Sequence, residues 1–312
     1  MMKTQIPAQK PFAEMMPLIE TFLGEAHDLI QRHPAQAQSV AEEAIALLHS
    51  TASDTALSET EKRFALAQGY CIRASCYEQH GRSAEAIADA DESVHLLTGL
   101  SDGEEGSEQS DRWAWHQSCA VKAKANALRH CGRSDEALAV MEAEVPILRF
   151  IRDETKRAQM LGATYNGIAA LYGVLNEHAL SLRYALDALT LHRENDNPRS
   201  EGASLMYIGL AQSMLGEKDA ALDSFAAAMT IFDRLDIGQW QCAVRGNVSM
   251  IHTERGDYDV AEMLLQENLR VTQSRGDRHN CISTHAALGK VHRLRGDFPQ
   301  SLRSLRTAER LS

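Results

Sequence analysis

Long apolar runs are missing from this chain. No stretch approaches the about 18 consecutive apolar residues of a membrane helix, and the leading MMKTQIPAQKPF lacks the apolar core of a signal peptide. No membrane partner is therefore expected, and a cytoplasmic location is. Aromatics are scarce, at 5%, which suits closely packed helices better than a sandwich or barrel. The six cysteines, at 71, 76, 119, 131, 242 and 281, show neither CxxC nor paired spacing. Free thiols in a reducing cytosol are expected rather than disulfides or a metal. Basic residues are in the minority, and the formal charge of −11 argues against nucleic acid as a direct partner, since a duplex binder needs a basic footprint. Catalytic signatures are also absent: no GxxxxGK followed by Ser or Thr, no GxGxxG after a strand, no HExxH, no GxSxG and no GGDEF-like motif. No enzymatic activity and no cofactor are expected of this chain. Among thirteen histidines the closest set, His279, His285 and His292, is spaced six and seven apart. No metal site is expected there.

What the sequence does hold is a repeat. In SMLGEKDAALDSF, HTERGDYDVAEML and HRLRGDFPQSLRS the glycines Gly216, Gly256 and Gly296 stand 40 residues apart. Five residues after each comes a small residue (Ala221, Ala261, Ser301), and seven before each another (Gly209, Ser249, Gly289). Gly132 and Gly81 keep the same frame, with Ala137 and Ala125 about the first and Ala86 and Ala74 about the second. Asn176 takes the glycine's place between Ala169 and Ser181, as the residue with a side chain that best tolerates a left-handed backbone. The spacing widens to 44 (Gly132 to Asn176) and 51 (Gly81 to Gly132) towards the N-terminus. A fixed period of this size without strand signals marks a helical solenoid, and the small positions mark where paired helices approach closely.

Residues 1–11 are expected to be a flexible leader. Residues 12–98 should hold N-terminal hairpins: a degenerate first repeat broken at His33-Pro34, then a unit opened by a capping box, Ser58-Glu-Thr-Glu61. An acidic, Gly/Ser-rich linker at 99–110 contains SDGEEGSEQS. Five repeats follow, at 111–151, 153–194, 198–235, 238–275 and 278–311. Asn197-Pro198 signals a helix start, and Asp257 and Asp297 are expected to cap second helices. The pairs Ile168/Leu171, Ile208/Ala211, Val248/Ile251 and Leu288/Val291 share one face of each first helix. In the second helices, Ile87, Leu138, Leu182, Leu222 and Leu302 mark the expected buried stripe, with Glu262 as the exception.

These offsets resemble the tetratricopeptide repeat family: a small residue midway along the first helix, a turn glycine, and an alanine early in the second. The resemblance covers about residues 58–311, with a weaker unit before. It implies an all-α, right-handed superhelical solenoid of about seven antiparallel hairpins. The 40-residue interval is longer than the family's usual one and is similar to that of bacterial regulators. The family's early aromatic survives as Tyr70 and Tyr165, while Arg245 and His285 stand there later.

The resemblance also implies a concave groove lined by first helices, where a protein or acidic peptide binds. Lys122, Asn126, Arg129, Asn166, Met206, Leu210, Met250, Lys290 and Arg293 fall on the expected stripe, basic at both ends and apolar in the middle. Lys122, Asn126 and Asn166 are similar to part of a carboxylate clamp, whose second cationic pair is replaced here by Met206 and Leu210. Alternatively, Met206, Leu210 and Met250 belong to the core. The leading expectation is a non-catalytic interaction or sensor module, the input region of a bacterial signalling protein. The final SLRSLRTAERLS suggests an output domain beyond it, and a diguanylate cyclase is preferred from the family alone. The alternatives are a stand-alone peptide receptor or transcriptional regulator of quorum-signal type, and a structural adaptor.

Overall fold

The computed structural model describes residues 12–30, 33–50, 56–100, 107–275 and 277–311. The expected leader 1–11, residues 101–106 of the expected linker and the side chain of His279 lie outside the described residues. Among the described residues there is no strand. Fourteen α-helices succeed one another: α1 (Phe12–Leu29), α2 (Pro34–Ser50), α3 (Ala56–Gln79), α4 (Ser83–Leu97), α5 (Glu108–His130), α6 (Ser134–Glu144), α7 (Glu154–Val174), α8 (His178–Glu194), α9 (Pro198–Met214), α10 (Lys218–Arg234), α11 (Gly238–Arg255), α12 (Tyr258–Arg275), α13 (Arg278–Arg295) and α14 (Phe298–Leu311). A short 3-10 helix (Ile147–Phe150) stands before α7.

The chain divides into two compact units, residues 1–171 and 172–312, with hairpins α1–α2, α3–α4 and α5–α6 in the first and α9–α10, α11–α12 and α13–α14 in the second. In the N-terminal unit each first helix packs on its own second helix and also on its neighbours, α3 against both α1 and α5. In the C-terminal unit α9, α11 and α13 pack with α10, α12 and α14 in the same way.

Turn chemistry fixes the hairpins. Gly81, Gly132, Gly216, Gly256 and Gly296 all have positive φ, between 72° and 89°, and Asn176 takes the same left-handed conformation at φ 64°. After each turn an amide reaches back to a carbonyl near the helix end, as in Arg82 N–H to Tyr77 O (2.8 Å) and Asp297 N–H to His292 O (2.8 Å). These bonds satisfy carbonyls that the helix itself leaves open. The turns between hairpins use the same device with Asp196 (φ 47°) and Asp236 (φ 50°), a role the sequence pattern did not reveal. Asn197 caps α9 by accepting from the Ser200 amide (3.2 Å), and Asp297 caps α14 through Gln300 N–H (3.1 Å). The carboxylate of Asp257 instead meets His252 Nδ1 at 3.2 Å. The helix expected to open at Ser58 begins at Ala56, because Ala56 and Leu57 are good helix formers and carry it upstream of the capping motif.

All twelve small positions of the repeat are buried. A Cβ on Gly209 would fall 2.8 Å from the Phe225 ring, and one on Gly289 would fall 2.7 Å from Leu305. Glycine is what lets these rings and branches sit on the opposing backbone. The expected second-helix stripe needs correction. Ile87, Leu138, Leu182 and Leu222 are only half-buried and Leu302 is exposed, whereas three residues on from the stripe Ala90, Met141, Ala185, Phe225 and Leu265 are buried, with Leu305 of α14 exposed as the exception. The second helix turns its later face inward because the small residue before it brings that face against the first helix.

One further position completes the hairpin. Twelve residues after the turn stand Ser93, Glu144, Ala188, Ala228, Asn268 and Ala308, all buried. Ser93 Oγ donates to Ala67 O (2.8 Å) and Asn268 Nδ2 to Cys242 O (2.8 Å). Each partner lies fourteen residues before the same turn. Glu144 is the one acid at this register, and its partner there is Ser118.

Candidate functional site

The first helices of the N-terminal unit enclose a cavity of about 250 Å³, lined by Gly24, His27 and Asp28 of α1, Gln68, Cys71 and Ile72 of α3, and Trp115, His116 and Cys119 of α5. Gly24, His27 and Asp28 are exposed at its mouth. Its walls are held from behind. Arg112 forms a bidentate pair with Glu61 (2.8 and 2.9 Å) and stacks 4.7 Å over Phe64. Lys156 Nζ lies 4.2 Å over the Trp115 ring. Arg73 grips the buried Asp89 with two bonds of 2.6 and 2.8 Å, fixing α3 on α4.

The lining is mostly uncharged at neutral pH. Burial, reinforced by the positive charge of Arg112 and Lys156, pulls His116 down from 6.5 to about 4. The Cys71 and Cys119 thiols interact in the cavity wall. That interaction, together with burial, pushes the Cys71 thiol up; it lowers Cys119, against burial and with help from Lys122. Among the described residues no three His, Cys, Asp or Glu side chains gather to hold a metal ion.

Trp115, Cys119, Lys122, Asn126 and Arg129 follow one another along α5 at steps of four and three. That spacing places them on a single helix face, so the cavity continues into the basic end of the stripe expected from the sequence. Lys122, however, is already engaged: its ammonium stands 3.7 Å from the fully buried carboxylate of Glu144. Ser118 Oγ donates a short hydrogen bond to the same carboxylate. Burial pushes the Glu144 carboxyl up, opposed by Lys122 and then by the Ser118 and Thr164 hydroxyls. Lys122 thus neutralises an internal acid and is not a free cation awaiting a ligand.

The other expected groove residues divide. Asn126, Lys290 and Arg293 are exposed, and Arg129, Leu210 and Met250 are half-buried. Asn166 and Met206 are buried, at 7% and 6% exposure. Met206 is covered because α9 packs against α8, α10 and α11, and five consecutive residues, Gly202–Met206, are buried. Met206 therefore has no surface left to present, whereas Leu210, one turn further on, keeps part of its own. For Met206 the core alternative holds. The structure adds residues the sequence pattern did not single out: His27, Asp28, Gln68, Trp115, His116 and the thiol pair. The signal was there in the spacing of Trp115 and Cys119 ahead of Lys122, but the first hairpin carries no turn glycine by which to align α1.

His292 and His252 are engaged by neighbouring side chains. His292 is buried and its Nδ1 accepts from Arg295 (3.1 Å), while His252 meets Asp257. At the family's aromatic position, His285 is held below its usual range by burial, its Nδ1 without a hydrogen-bond partner among the described residues.

Residues 240–312 match the family model described as Tetratricopeptide repeat. No curated protein matches the chain. Among solved structures, the apo form of RapI is similar with a TM-score of 0.68 and 12% identity, covering 94% of this chain and 98% of that one. Aspartyl phosphate phosphatase F from Bacillus subtilis gives 0.65 and 13% identity, covering 99% of this chain and 77% of that one. The Rap conjugation gene regulator of the plasmid pLS20, in complex with a Phr peptide, gives 0.64 and 14% identity, covering 91% of this chain and 70% of that one. Hairpins turned on left-handed glycine or asparagine, small residues at each helix crossing and the match over residues 240–312 make this a tetratricopeptide-type helical repeat protein.

Proposed function

We propose that the chain is a non-catalytic module that binds a peptide or an extended protein segment along its first helices, with one partner side chain seated in the cavity among α1, α3 and α5. The observation that carries this reading is the cavity itself, formed by the inner faces of three successive hairpins and continuous with the α5 stripe. Its size suits one side chain, and its neutral lining of Trp115, His116 and Ile72 favours an apolar or uncharged one. Because Glu144 already balances Lys122, the basic end of the stripe is a weaker basis for an acidic partner than the sequence suggests. Asn126 and Arg129 extend the contact along α5. Leu210, Met250, Lys290 and Arg293 keep their place as the partner-facing residues of the C-terminal unit.

Among the readings the sequence leaves open, the peptide receptor of regulatory type has the most support. One structurally similar protein is a gene regulator in complex with a peptide, and none of the similar structures described is a diguanylate cyclase. Selection from a random peptide display library against the full chain tests the proposal. Gly24 lines the cavity with open space where a Cβ would stand, so Gly24→Trp should fill the cavity while helicity is kept. Selected peptides should lose binding to this variant. Unchanged affinity would remove the cavity from the site.

A further inference from the structure

Cys76, Cys242 and Cys281 are buried and Cys131 is exposed. Cys71 and Cys119 differ from all of these: they are half-buried, stand on helices packed against each other and line one cavity. They are 48 positions apart in sequence and are brought together by stacking of the second and third hairpins. Their roles are unequal. Cys119 has cations at hand: Lys122 follows it by three residues on the same face of α5, and Lys156 lies over the Trp115 ring that lines the same cavity. The attacking species in thiol chemistry is the thiolate, and a neighbouring thiol supplies the resolving sulfur.

We propose that Cys71 and Cys119 form a two-electron redox site in the cavity wall, oxidised by a small peroxide to a disulfide that ties α3 to α5. The Cys119 thiolate attacks one oxygen of hydrogen peroxide; an S–O bond forms, the O–O bond breaks, and hydroxide leaves with a proton to become water. Cys71, having given up its proton, then attacks the Cys119 sulfur of the sulfenic acid. The S–S bond forms, the S–O bond breaks, and a second water leaves. Two thiols and one peroxide thus give one disulfide and two waters. The cavity admits the oxidant through the mouth at Gly24, His27 and Asp28.

The test is a hydrogen peroxide titration of the full reduced chain, followed by alkylation of remaining thiols and non-reducing peptide mapping. Cys71 and Cys119 should disappear together as one crosslinked peptide, at a peroxide dose about ten-fold below that needed to modify the solvent-exposed Cys131. In Cys71→Ser, Cys119 should stop at the sulfenic acid and take up dimedone, an adduct missing from the parent chain. Oxidation of Cys131 with both cavity thiols still alkylatable would overturn the proposal. So would a dimedone adduct at Cys119 in the parent chain, which would show that Cys71 does not resolve it. Because the mapping is read on the unsubstituted protein, the proposal stands or falls there even if the variant fails to fold.

Discussion

The two compact units solve the same packing problem with different materials. In the C-terminal unit the turns recur every 40 residues, and the close approaches set glycine backbone under Phe225, Phe232 and Leu305. Exposed pairs repeat with the period, Arg255 to Asp219 (2.6 Å) and Arg295 to Asp259 (3.1 Å); such surface pairs add little stability. In the N-terminal unit the spacing stretches to 44 and 51 residues, and the helices are joined by half-buried ion pairs: Arg73 with Asp89, Arg112 with Glu61, and Lys122 with the fully buried Glu144. The cavity and the thiol pair lie in that unit. Regular repeats maximise packing and leave nothing over, whereas the irregular ones leave space and charge that a ligand can use.

Four experiments break or sharpen this contrast. Trp113 and Trp115 report on the N-terminal unit and Trp240 on the C-terminal one, so a Trp240→Phe background isolates the former in urea unfolding. There, Lys122→Met should cost about 3 kcal/mol, since it strands a buried carboxylate. Adding Glu144→Ala, the residue found at this register in α8, α10 and α14, should recover most of that loss. A Lys122→Met chain as stable as its parent would show that the buried acid does not depend on the lysine.

Acid should act next most strongly, and on the same unit. His116 titrates near 4 when folded and near 6.5 when unfolded, so the unfolded chain takes the proton first. The stability associated with neutral His116 is intact above 6.5 and is lost as pH falls from there through about 4, amounting to about 3 kcal/mol. His116→Gln should flatten the urea midpoint across that window; an unchanged pH profile would place the acid sensitivity elsewhere.

Smaller effects belong to the C-terminal unit. Gly209→Ala pushes a methyl into the Phe225 ring and should destabilise by about 2 kcal/mol, seen as a lower urea midpoint in Trp240 fluorescence. Gly246→Ala, where nothing lies within 4 Å, should instead stabilise α11 by up to about 1 kcal/mol. Equal effects at the two glycines would mean that the close approach to Phe225 is not what requires glycine.

How far the sequence could be read follows from the same contrast. Turn glycines, Asn176 and the small positions depend on backbone geometry, which a periodic pattern encodes directly. The face that packs was legible in α7, with Ile168 and Leu171, and misplaced in the second helices, where the residue at Leu222 is half-covered and Phe225 is the one enclosed. On α5 the residues of the expected stripe reach the surface, Asn126 exposed and Lys122 and Arg129 half-buried, whereas on α9 Met206 is buried, since a core methionine differs from a surface one only in what surrounds it. The cavity was illegible because it takes side chains from three hairpins, the first of which carries no turn glycine to set its frame.

In a chain of near-copies, the nearest wrong fold is the right one displaced by a whole repeat. A second helix with alanine twelve residues after its turn, as in α8, α10 and α14, asks nothing polar of the first helix it meets. The helix ending in Glu144 does: at the two places where its carboxylate needs a hydroxyl and a cation, the other first helices offer Ala67 with Cys71, Gly162 with Asn166, Gly202 with Met206, Cys242 with Gly246, and Ile282 with Ala286. The buried acid thus works as a key cut for one lock, making the third hairpin the place where the order of the whole series is counted from.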